Sequence, residues 1–167
     1  MVFRLRSDAE KWFSEIDNKP PVKTKFDLYY FCLVVGLLSG RSSDPARIGV
    51  TTRELVDYFI EDFKPGHRLL IGLLVLAELR KSGIDLDEKS AVRDVFGRLI
   101  TAYSSSGLTD EGFKAMNAYA SGGYEFMAES RETKPVSVEE FLRDYLLLVD
   151  RAAQDERGIS IESLSRS

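Results

Sequence analysis

Residues 28–38 read Leu-Tyr-Tyr-Phe-Cys-Leu-Val-Val-Gly-Leu-Leu, with no charged side chain among them. A run this apolar has no polar face to give to water, so as a helix it must be enclosed on all sides by other elements. It falls well short of the about 20 residues a membrane-spanning helix needs, which makes it the centre of a folded core. Thr24 is placed to cap its start, Asp27 lies where the helix dipole favours a negative charge, and Gly40 stands at its exit.

Around that centre the sequence offers mostly helical periodicity. Ser7 with Glu10 forms a capping-box pattern ahead of a short helix carrying Trp12, Phe13 and Ile16, which Pro20-Pro21 must end. Thr51 with Glu54 repeats the pattern ahead of Leu55, Tyr58, Phe59 and Phe63, predicting a third helix that stops at Pro65-Gly66. A fourth, from His67 to Ser82, is leucine-rich and mostly buried, with Gly83 as its cap; a fifth runs from about Glu88 to Tyr103. Thr109 opens a sixth, expected to bend or break at Gly122-Gly123, and Ser137 with Glu140 caps a seventh. Val2 to Arg6 alternates apolar and basic residues, the pattern of a short strand. The expectation is an all-α, irregular bundle of about seven helices with a short N-terminal extended strand, the second and fourth helices lying inside. Residues 1–158 form one helical domain and 159–167 a flexible tail.

Composition narrows the chemistry. With 167 residues, 44% of them hydrophobic, one conventional core is affordable and two are not. The formal net charge of -4 disfavours a phosphate backbone as a non-specific partner. The N-terminal residues are charged and lack a signal peptide's apolar stretch, so a soluble, cytoplasmic chain is expected. One cysteine, Cys32, and one histidine, His67, exclude both a disulfide and a Cys/His zinc site, and Cys32 reads as a core side chain.

No catalytic constellation is legible, and no cofactor or metal is expected. His67 follows Pro65-Gly66 without a nucleophile and orienting group around it. The acidic pairs Glu61-Asp62 and Glu139-Glu140, and the group Asp85, Asp87 and Glu88, read as solvated faces and caps rather than acid–base pairs. Gly122-Gly123 lacks the Lys-Ser/Thr that follows a phosphate loop. Arg41, Arg47 and Arg53, opposed by Asp44, leave a local excess of two positive charges across 41–53. With His67 and Arg68 they are the candidate contacts to a partner or to nucleic acid.

Two segments also carry a resemblance. Lys25 to Arg41, ending Leu-Ser-Gly-Arg, and Asn117 to Phe126, reading Asn-Ala-Tyr-Ala-Ser-Gly-Gly-Tyr-Glu-Phe, together resemble small bacterial Dnd-system-associated proteins, encoded beside DNA-phosphorothioation and restriction genes. In the second segment Ser121 replaces the family's Asn and Tyr124 its Leu. Gly40, Arg41, Tyr119, Gly122, Gly123 and Glu125 are the family-matching positions. The resemblance implies a non-catalytic accessory protein of a prokaryotic DNA-modification or anti-phage locus, partnered by a larger protein of that locus, and it brings no active site. A DNA-binding or sensing subunit using the 41–53 loop is the alternative, and a metal-dependent hydrolase or nuclease a further one; self-association is left open.

Overall fold

A computed structural model describes residues 1–154. In chain order they form strand β1 (Arg4–Arg6), helix α1 (Ser7–Trp12), helix α2 (Lys25–Ser39) and strand β2 (Thr52–Glu54). A 3-10 helix (Glu61–Gly66) follows, then α3 (His67–Lys81), α4 (Lys89–Leu99), α5 (Asp110–Glu129) and α6 (Val138–Ala153). The architecture is the expected all-α irregular bundle with a short N-terminal strand. Residues 155–158 of the expected domain, and the tail expected from 159, lie outside the described residues.

Helix α2 is the axis. Its start carries a complete capping box, in which the Thr24 hydroxyl accepts from the Asp27 amide while the Asp27 carboxylate accepts from the Thr24 amide. Its end is Gly40 in the left-handed conformation, φ 72°, which glycine adopts without steric cost. Leu28, Tyr29, Cys32, Leu33, Val35 and Leu37 are fully buried, and each large apolar side chain contributes about 1.5–3 kcal/mol by leaving water. Burial, above all, pushes the Cys32 thiol's pKa up, as befits a core side chain.

The partner of α2 at the centre is α5, which makes the most extensive contact in the molecule. The sequence expectation had put the helix beginning at His67 there. Instead α3 packs on the outside, turning Leu70, Leu74 and Leu79 inward and leaving Leu69 68% exposed. Nor does α5 break at Gly122-Gly123, for it runs unbroken from Asp110 to Glu129.

A second correction concerns the segment after Thr51. Residues 52–54 form a strand antiparallel to β1, with Arg4 opposite Glu54, Leu5 opposite Arg53 and Arg6 opposite Thr52. The helical signal beyond them shrinks to the 3-10 helix at 61–66. Both expected capping boxes fail for the same reason. Ser7 and Thr51 bond each other, Oγ1 to Oγ at 2.9 Å, while Glu54 takes Arg4 and Glu10 takes Arg53. Helix α1 still begins at Ser7, but with Arg6 as N-cap and no side-chain cap.

The strand pair seats Phe3 in the core. Its ring lies 4.9–5.4 Å from those of Phe26, Tyr29, Phe59 and Phe113, at tilted or edge-on angles. At the far end, α6 lays Phe141 and Tyr145 against Phe31 of α2, and the Tyr145 hydroxyl donates to the Phe31 carbonyl at 2.8 Å.

Candidate functional site

The seam between α2 and α5 is a contact of backbone on backbone. A Cβ on Gly36 would stand 1.8 Å from the Tyr119 carbonyl oxygen, and one on Gly123 would stand 1.7 Å from that of Cys32. A Cβ on Gly122 would meet the Arg41 carbonyl at 2.2 Å. No side chain fits at any of the three, so these glycines serve close backbone approach, Gly36 and Gly123 between the helices and Gly122 against the loop that leaves α2. Gly40, Arg41, Tyr119, Gly122, Gly123 and Glu125 thus all lie along one seam, although up to 85 residues separate them in sequence.

Where the seam opens, an ionic cluster closes it. Arg6, only 7% exposed, grips Asp8 with two bonds at 2.9 and 2.7 Å and donates to Ser121 at 3.1 Å and Glu125 at 2.6 Å. Arg41 grips Glu129 with two bonds at 2.5 and 2.6 Å and reaches the other oxygen of Glu125 at 3.3 Å. Ser43 lies 2.8 Å from the Ser121 hydroxyl and donates to Glu125 at 2.9 Å. Glu125 therefore joins two arginines from distant parts of the chain, and the Arg6 guanidinium also sits 4.9 Å over the Tyr124 ring. Burial opposes the charge on Arg6, yet bonds to Asp8 and Glu125 hold its pKa above the ordinary value. With donors and acceptors matched this closely, the cluster ties β1, the 41–43 loop and α5 together and exposes no reactive group.

Sequence reasoning placed Arg41 and Glu125 here through the resemblance, but missed Arg6, Ser43 and Ser121. In an alternating strand Arg6 reads as a solvent-side residue. It is buried because the end of α5 covers that face too.

The other candidate contacts each have their own setting. Arg53 pairs with Glu10 at 2.8 Å, and Arg47, 85% exposed, stands 3.9 Å from Asp44. His67 opens α3 with Nδ1 2.5 Å from the Lys64 carbonyl oxygen and its ring 5.6 Å from that of Phe59. Arg68 is exposed and has no hydrogen bond or ion pair among the described residues. These side chains do not meet in one site.

The surface also carries concave regions. A cleft of about 170 Å³ between α5 and α6 is lined by Trp12, Met127, Phe141, Tyr145, Leu147 and Leu148, among others. On α6 beside it, Leu146 and Leu147 are 70% and 67% exposed. A polar groove of about 430 Å³ lies between the 42–47 loop and the ends of α3 and α4. Among the described residues no three His, Cys, Asp or Glu side chains are grouped to hold a metal ion, and no helix is long and apolar enough to cross a membrane.

No protein-family profile, curated protein or solved structure matches the chain.

Proposed function

We propose that the chain is a non-catalytic accessory protein of a prokaryotic DNA-modification-linked or anti-phage locus, acting through contact with a larger protein of that locus. The observation that carries the contact is the outer face of α6. Leu146 and Leu147 stand in solvent beside an aromatic-lined cleft, an arrangement that places apolar side chains where a partner would cover them. The locus comes from the resemblance. Support for it is that the two segments carrying it pack on each other through Gly36, Gly122, Gly123 and the Arg41–Glu125 pair. The alternative of DNA contact through the 41–53 loop has less support, since Arg41 and Arg53 are already engaged by carboxylates.

The test is capture of the neighbouring gene products on the immobilised full-length chain. One of them should be retained by the wild type and lost with Leu146→Asp plus Leu147→Asp, at an unchanged thermal midpoint. A chain that retains none of the proteins of its own locus would sink the idea.

A further inference from the structure

The groove of about 430 Å³ falls in the range of roughly 300–1,000 Å³ usual for small-ligand sites. Four elements each bring a cation to it: Arg47 from the loop, Lys81 from α3, Arg98 from α4 and Lys114 from α5. In an acidic chain that convergence is unexpected.

These cations are loosely held. Arg47 is 3.9 Å from Asp44, Arg98 is 3.5 Å from Glu111, and Lys81 reaches only the Ser42 hydroxyl at 3.5 Å. Lys114 has no hydrogen bond or ion pair among the described residues. Exposed pairs this long are worth close to nothing, so the four remain free to take an anion.

A second observation comes from beneath. The Tyr119 hydroxyl is buried and meets no hydrogen-bond geometry with any described residue. Burial first, then the neighbouring Glu78 carboxylate, raises its pKa, and that carboxylate, the nearest acceptor for the hydroxyl, lines the groove. Asp44 and Glu111 line it too, so the walls offer acceptors as well as cations. Bare phosphate would leave those carboxylates unused and would be repelled by them, whereas hydroxyl groups on the same ligand would donate to them. No aromatic side chain is among the lining residues, so there is no platform on which a base would stack.

We propose that this groove binds a single sugar-phosphate unit, with Lys81, Lys114, Arg47 and Arg98 around the phosphate and Glu78, Asp44 and Glu111 accepting from the sugar hydroxyls. The unit comes either as a free sugar phosphate or as one residue of a nucleic-acid backbone. The site is independent of the α6 face, so its failure leaves the accessory role standing, and the reverse holds as well.

Calorimetric titration of the full-length chain with ribose 5-phosphate, ribose and inorganic phosphate tests it. Ribose 5-phosphate should bind with a Kd on the order of 1 mM or tighter, and the other two at least about tenfold more weakly. Lys81→Gln plus Lys114→Gln should weaken it about tenfold or more, while Arg68→Gln, outside the groove, should not. Amide shifts on the wild type should cluster at Ser42, Lys114 and Ala118, which keeps the test valid if the double variant is unstable. A short single-stranded oligonucleotide that displaces the sugar phosphate identifies the backbone as the source, and one that does not identifies the free metabolite. Ribose 5-phosphate binding no better than phosphate, binding untouched by the lysine changes, or shifts elsewhere would overturn the proposal.

Discussion

The α2–α5 seam and the groove beyond the 42–47 loop lie within a few residues of each other along the chain, yet they handle polar groups in opposite ways. In the seam, Glu125 and Glu129 meet arginines mostly at 2.5–2.6 Å, over glycines that admit no side chain. In the groove, opposite charges stand 3.5–3.9 Å apart and one lysine is unpaired among the described residues. The difference separates charges that hold the fold from charges that are available. A short bidentate pair, or one on a buried guanidinium such as Arg6, has spent its interaction on structure, whereas a long exposed one costs little to rearrange.

The sharpest way to break the comparison is at the glycines. Gly123→Ala puts a methyl 1.7 Å from the Cys32 carbonyl, so the helices must separate, with an expected loss of about 3 kcal/mol or more. Gly97→Ala, on α4 with nothing within 4 Å, should instead stabilise by about 0.5–1 kcal/mol through helix propensity. Urea unfolding of both variants reads the contrast, and equal effects would show that the seam is not tight.

A smaller effect divides the two sets of charges. Glu125→Ala removes the carboxylate that Arg6 and Arg41 share and leaves a buried guanidinium with less compensation, for a loss of about 2–3 kcal/mol. Glu111→Ala, on the groove wall, should change stability by no more than about 0.5 kcal/mol. Comparable losses in the same unfolding assay would erase the distinction.

The smallest effect is one of pH. A bond from Arg53, helped by Lys25 and opposed by burial, lowers the Glu10 pKa from 4.5. The unfolded chain therefore takes up that proton more readily than the folded one. The pair's contribution is full above the unfolded value and is lost as pH falls through the lower folded value. Glu10→Gln should cost under about 1 kcal/mol near neutrality, and its difference from wild type should shrink as pH falls below about 4. A difference constant across that range would show that Glu10 acts by packing alone.

Much of the fold was legible, because α2, α5 and α6 combine long apolar periodicity with a cap that the structure uses, at Thr24, Thr109 and Ser137. Gly83, φ 66°, likewise ends α3 as expected. What misled was local chemistry with two uses. Ser-x-x-Glu at 7–10 and Thr-x-x-Glu at 51–54 can each close a helix start, but the same side chains serve a strand pair better when arginines stand opposite. Gly122-Gly123 reads as a bend when only its own helix is considered, whereas its cause is the backbone of α2 and of the loop that leaves it, far off in sequence. For the same reason the groove was invisible: Arg47, Lys81, Arg98 and Lys114 share no spacing, and only the packing of four elements brings them together.

Asn117 carries one more consequence. Its side-chain oxygen accepts from the Arg4 amide and the Tyr29 hydroxyl, both at 2.9 Å, and its amide donates to the Val2 carbonyl at 3.0 Å. Val2 and Arg4 are thus held by a residue made more than a hundred positions later, and the core position of Phe3 lies between them. During synthesis β1 can pair with β2 early, but its seat is complete only when α5 has emerged, so this strand is locked in place by a contact of long sequence separation.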